Sequence, residues 1–271
     1  MPRQGDWDGK YRRIDAHVHG DPTKLRGGGA AYVRRVRRQG IDAVVLIEPG
    51  ERCVKAVRKF GDFVIPVAAF RLNEMRQRDA RGEAERWLDA GCRGIKVIAA
   101  VHPYSDERYW PLYQTAERRK VPVIFHTGFL AFRDREDPPV EMANMRAAHV
   151  EAVAGRFPGR KSLLAHFSNP WWEEAWKVSW SRDNVYADLS GGTAVRRSMS
   201  MWAETFAPDG RLMADSLGKL CFASDVHYLH NDEHAFAQYI DFHERLFDRV
   251  EAPPALRRKV WAGNAVKLFG L

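Results

Sequence analysis

Two histidines separated by a single residue stand in the string Ile14-Asp15-Ala16-His17-Val18-His19. Along a β-strand, residues i and i+2 point to the same face, so His17 and His19 can grip one ion together. Lone polar residues then recur where later apolar runs end, at Lys96, His126, His166 and Asp225. Carried to one place by different strands, these side chains would make a metal-centred active site. The pattern predicts an enzyme.

The elements that must position them follow from the hydrophobic pattern. Short β-branched runs at 12–17, 42–47, 63–69, 94–98, 121–126, 162–166, 184–189 and 219–224 are strand candidates. They recur roughly every 30 residues, the length of one βα unit. Amphipathic stretches at 30–38, 52–60, 81–90, 108–119, 140–157, 171–178, 195–206 and 233–250 lie between them, and a last helix is expected over 254–268. Asn169 and Pro170 read as the capped start of the helix after strand 6. Uninterrupted βα repeats predict an α/β fold, one closed (β/α)8 TIM barrel with a C-terminal helix, as a single domain over 1–271.

In such a barrel the catalytic groups occupy the C-terminal strand ends. His17, His19, His126, His166 and Asp225 all fall there, as does Lys96. Singly, each has a plainer use: a strand-end histidine can bond a loop carbonyl, and Asp225 can cap the next helix. The set is specific where its members are not.

Bulk composition agrees with an enzyme and excludes other classes. The 271 residues, 45% hydrophobic and 29% charged, suffice for a barrel core. The opening residues carry no apolar signal region and no apolar run spans a bilayer, so no membrane association and a cytoplasmic location are expected. Cys53, Cys92 and Cys221 form no CxxC pair, which argues against a disulfide framework or a thiolate zinc knuckle. The net charge of +8 is spread along the chain, and no nucleic-acid-binding motif accompanies it. A basic protein favours anionic small-molecule substrates.

Longer strings carry a resemblance. Asp15-Ala16-His17-Val18-His19, Gly94-Ile95-Lys96-Val97, Pro122-Val123-Ile124-Phe125-His126-Thr127-Gly128 and Leu164-Ala165-His166 come first in order. Asn184-Val185-Tyr186-Ala187-Asp188-Leu189-Ser190-Gly191, Phe222-Ala223-Ser224-Asp225 and Gly263-Asn264-Ala265 continue it. The chain resembles the amidohydrolase superfamily, in the amidohydrolase-related branch that holds aminocarboxymuconate-semialdehyde decarboxylase-like enzymes. The resemblance runs from residue 14 to residue 271.

That resemblance implies a divalent metal on His17, His19, His126 and Asp225, with His166 beside the bound water or substrate. Three imidazoles and a carboxylate suit zinc, with manganese, iron or nickel as alternatives. Lys96 would bridge a second ion after carboxylation together with His166, hold substrate as a plain ammonium, or serve structure alone. His102-Pro103 stands further from that lysine than in many relatives and reads as loop. The implied reaction is hydrolysis by metal-activated water, with Asp225 and His166 catalytic. The alternative is non-oxidative decarboxylation of an aromatic or unsaturated carboxylic acid. Arg71 and Arg133 could hold an anionic group, and Phe129 and Tyr228 are candidate substrate contacts. Relatives often form homodimers, which extends to this chain by resemblance only. Glu48, before Pro49, reads either as a further metal ligand of a phosphoesterase-like site or as a turn residue.

Overall fold

In a computed structural model the described residues are 11–20, 29–75, 79–130, 140–227 and 235–271. Nine parallel strands build one curled sheet: β1 Ile14–His19, β2 Ala43–Glu48, β3 Val64–Arg71, β4 Ile95–Ile98, β5 Val123–His126, β6 Ser162–Ala165, β7 Val185–Asp188, β8 Leu220–Cys221 and β9 Val226–His227. The sheet order is β8-β7-β6-β5-β4-β3-β2-β1-β9. Its two edges, β8 and β9, are halves of one chain segment joined by residues 222–225. One half bonds β7 and the other bonds β1, so that segment closes the barrel. The expected TIM-barrel-like α/β fold with a C-terminal helix is the observed one. Among the described residues, no helix is long and apolar enough to cross a membrane.

Alternation along the strands sorts the apolar residues into two layers. Ala43, Val45, Ile47, Ile65, Val67, Ile124, Leu163 and Cys221 share the inner cluster. Val44, Leu46, Val64, Ile95, Val97, Val123 and Phe125 join the outer one, against the helices. Ala262, Ala265, Leu268 and Phe269 of the C-terminal region pack with the inner cluster and plug the barrel floor. Burying each such side chain contributes about 1.5–3 kcal/mol before chain entropy is counted.

Two local departures from regular strand geometry aim the polar residues. Between Asp15 and Val18, β1 advances one residue more than β2, whose partners are Val44 and Leu46. This bulge reverses the facing of β1, a device common beside active sites. Ile14 packs with the inner cluster and Val18 with the outer one, so His17 and His19 face the barrel mouth.

The second departure is the broken eighth strand. The expected continuous strand over 219–224 is interrupted because its backbone bonds elsewhere: Phe222 N–H donates to the Val260 carbonyl at 2.9 Å, and Ser224 N–H to Asp15 at 3.0 Å. The Val260 carbonyl belongs to a π-helical turn, Lys259–Gly263, where a straight helix was expected. Asn264 then donates its side-chain amide to the Gly218 and Leu220 carbonyls, which fixes the start of the segment. The helix after β6 begins at Trp172, without a side-chain cap from Asn169.

Candidate metal centre

The mouth of the barrel gathers the histidines that the strand register placed there. His17 Nε2 lies 3.0 Å from His19 Nε2. Asp225 Oδ1 is 3.4 Å from His19 Nε2 and 3.7 Å from His17 Nε2. The His166 ring sits 4.8 Å, centroid to centroid, from both His17 and His126. Lys96, 1% exposed, brings Nζ within 3.5 Å of His17 Nε2. All six strand-end residues converge.

A shared rule orients the rings. His17 Nδ1 is 3.2 Å from Asp188 Oδ2, and His19 Nδ1 is 2.7 Å from the Ile47 carbonyl. The His126 ring bonds the Phe129 backbone, and its buried Nε2 has no partner. His166 Nδ1 is 2.9 Å from Ser190 Oγ, whose own hydroxyl donates to Asp188 Oδ1. Each Nδ1 is thereby committed to an acceptor, which selects the tautomer bearing its lone pair on Nε2. Such outer partners are what a metal-ligating histidine requires.

Three of the donors, His17, His19 and Asp225, stand close enough together for a single divalent ion. Zinc holds ligands at roughly 2.1 Å, so two donors on one ion stand at most about 4.2 Å apart, and about 3.4 Å in a tetrahedron. The observed separations of 3.0, 3.4 and 3.7 Å lie within that span. His126 Nε2 is buried and without a partner among the described residues but stands outside this cluster of three, so joining the same ion would take a shift of its ring.

Electrostatics keep the imidazoles neutral, the form that binds metal. Burial holds His17, His126 and His166 well below the ordinary imidazole range, and the Lys96 charge adds to this at each. His19 falls to about 3 for the same two reasons. Burial pushes the Asp225 carboxyl up to about 7, against the opposing pull of Lys96. Lys96 itself drops to about 8 through burial, with Asp188 and Asp225 resisting.

The backbone is strained where it carries these groups. Asp225 has φ 66°, and His166, Phe167 and Ser168 have φ 62°, 48° and 53°. Left-handed geometry at a non-glycine residue costs about 1–2 kcal/mol and persists only where the surroundings impose it. Here His166 N–H donates to Asp188 at 2.9 Å and Ser168 N–H to Thr127 Oγ1 at 3.0 Å. Gly191, with φ 80°, passes so close that a Cβ there would stand 3.1 Å from His166 Nδ1 and 3.4 Å from Asp225 Oδ2.

The other candidates make contacts of their own or are not described. Arg71, at the end of β3, pairs with the exposed Glu74. Glu48 accepts the Gly20 N–H at 2.7 Å and pairs with Arg52, so it fastens a loop. Phe129 is 48% exposed and packs its ring 5.2 Å from Trp171 at the rim. Arg133 and Tyr228 lie outside the described residues. Sequence reasoning passed over Asp188, Ser190 and Asp15 as functional positions, and over His227, which stacks 5.2 Å from His19. The available signal was an acid placed at strand register in an apolar run.

Comparison with known proteins agrees with the fold. The family model described as amidohydrolase matches residues 14–271. Solved structures similar in fold include an uncharacterised TIM-barrel protein from Bordetella bronchiseptica, at 18% identity and TM-score 0.68, covering 95% of this chain and 98% of that one. Another is 5-carboxyvanillate decarboxylase from Sphingomonas paucimobilis, at 13% identity and TM-score 0.62, covering 96% and 99%. A third, amidohydrolase 2 from Bifidobacterium longum subsp. infantis, has 12% identity and TM-score 0.58, with 96% and 99% covered. No curated protein matches.

Proposed function

This chain belongs to the amidohydrolase family and is an enzyme of that superfamily, and on that premise we propose that it is a metal-dependent hydrolase of small anionic substrates. The observation that carries the reading is the set of Nε2 lone pairs and the Asp225 carboxylate converging at one barrel mouth. His17, His19, His126 and Asp225 would hold the metal, with zinc the best match to the donors. When bound, the metal supplies Lewis acidity at the substrate's carbonyl and makes water more acidic.

The chain's own residues divide the remaining work. Asp225 takes a proton from the attacking water through its second oxygen, Oδ2, the atom beside Gly191 and His166. That proton returns to the leaving group as the carbonyl–heteroatom bond breaks. His166, with Nδ1–H bound to Ser190, keeps an Nε2 lone pair able to relay a proton. Lys96, buried beside His17, places positive charge where a substrate anion or developing oxyanion would sit.

Lys96 also favours a second reading, non-oxidative decarboxylation. A buried ammonium can bind a carboxylate and later neutralise charge as carbon dioxide leaves. The two reactions separate cleanly in 18O-water. Small anionic amides, lactones and aromatic carboxylic acids are incubated with zinc-loaded protein, and products are analysed by mass. Hydrolysis places one 18O per turnover in the organic product; carbon dioxide release with no label in the organic product assigns decarboxylation. Turnover that survives complete metal removal overturns both.

A further inference from the structure

The turn that follows β7 leads from the metal centre to an arginine. Gly191 abuts His166 Nδ1 and Asp225 Oδ2, and the next residue opens a short helix, Gly192–Arg196. The side chain of its last residue folds back. A Cβ on Gly192 would stand 3.6 Å from both Cζ and Nε of Arg196. The guanidinium therefore lies over the start of the helix, one residue from the glycine that touches the metal centre.

This helix is held in place. Gly191 N–H donates to the Ser224 carbonyl at 3.2 Å, and Trp202 Nε1–H to the Ala194 carbonyl at 2.9 Å. The long helix Ala235–Arg249 packs against it. Tyr239 of that long helix feels charge from two directions. Burial and the negative charges of Asp225 and Asp15 push its hydroxyl up, and Arg196 pulls it down. The Arg196 guanidinium and the Asp225 carboxylate thus stand within reach of one phenol.

The neighbouring arginine supplies a contrast. Arg197 sets its guanidinium 4.9 Å over the Trp172 ring, which gives that cation a partner. Arg196 is exposed and, among the described residues, has no carboxylate within 4 Å. A guanidinium fork presents two parallel N–H donors that match a carboxylate. Lys96, 1% exposed, sits deep beside His17. The mouth therefore has one cation at its reacting end and a second, unpaired one at its entrance.

We propose that Arg196 selects substrates that bear a carboxylate away from the reacting bond. That carboxylate pairs with Arg196 while the reacting end lies between Lys96 and the metal ligands. The assignment rests on the reading of the barrel mouth as the reaction site.

The test is calorimetric titration of full-length protein, zinc-loaded and metal-free, with straight-chain diacids of four to eight carbons. Each is compared with the monoacid of equal length. At least one diacid is expected to bind at least about fivefold more tightly than its monoacid. R196Q is expected to abolish that preference and to leave zinc affinity, read by chelator competition, unchanged. R197Q, which loses the same charge one residue away, is expected to keep the preference. No diacid preference in the wild type, a preference that survives in R196Q, or an equal loss in R197Q would overturn the assignment. A protein that binds no zinc contradicts the metal-dependent reading alone. The metal-free titration, in which Lys96 still offers the inner cation, then decides on Arg196.

Discussion

Asp188 Oδ2 stands 3.2 Å from His17 Nδ1, both side chains fully buried, and with Ser190 Oγ at the same distance this contact turns the other ring nitrogen to the barrel mouth. The same carboxylate accepts from the His166 and Ser190 backbone N–H groups and from the Ser190 hydroxyl, so it orients two histidines at once. D188N keeps the shape but replaces an acceptor with an amide. It is expected to lower zinc affinity about 10–100-fold while leaving the far-UV spectrum unchanged. Competition against a chromophoric chelator measures this; unchanged affinity would remove Asp188 from the account.

Asp15 and Ser224 tie the HxH strand to the segment that carries Asp225. Asp15 accepts from Ser224 Oγ at 2.5 Å, from Ser224 N–H at 3.0 Å and from His17 N–H at 3.1 Å. D15A leaves these buried donors unpaired, a loss of about 1–3 kcal/mol for each stranded group. Urea unfolding should show a clear drop in midpoint for D15A and a smaller one for S224A. Metal affinity should fall in both.

Gly191 tests how tightly the mouth is packed. G191A forces an L-residue to φ 80° and sets a methyl against His166 and Asp225. The backbone penalty alone is about 1 kcal/mol. The expected signature is a modest fall in thermal stability with a much larger fall in turnover. Equal losses in both would mean that the methyl is accommodated.

Stability should depend on pH through a buried ring that is not among the proposed metal ligands. His243 is enclosed by Phe222, Phe242 and Trp261, and burial lowers it to about 4. The folded protein keeps this ring neutral, while the unfolded chain protonates it below about 6.5. Its contribution is therefore complete above pH 6.5 and is lost as pH falls towards 4, by on the order of 3 kcal/mol. Urea midpoints of metal-free protein at pH 7 and pH 5 should differ less in H243Q than in the wild type.

What the sequence disclosed, and what it hid, follows from where the information resides. His17, His19 and His126 were legible because strand alternation and register fix their facing. The TIM-barrel fold was legible because its βα period is long and regular. The bulge in β1 and the break before Asp225 were hidden, since the pairing of β1 with β2 and the bonds of Phe222 to Val260 and of Ser224 to Asp15 join residues distant along the chain. Asp188 was hidden because a buried acid within Tyr186-Ala187-Asp188-Leu189 becomes meaningful only once its partners are known. Arg71 reads from the sequence as a substrate contact, and its pairing with Glu74 is a local contact that no periodicity foretells.

The most direct test of the central arrangement is crystallography of the zinc-loaded protein with data collected across the zinc absorption edge. We expect one anomalous peak at the barrel mouth, about 2.1 Å from Nε2 of His17, His19 and His126 and about 2.0–2.2 Å from an Asp225 oxygen. A mouth without a peak, or an ion bound away from those atoms, would contradict the assignment.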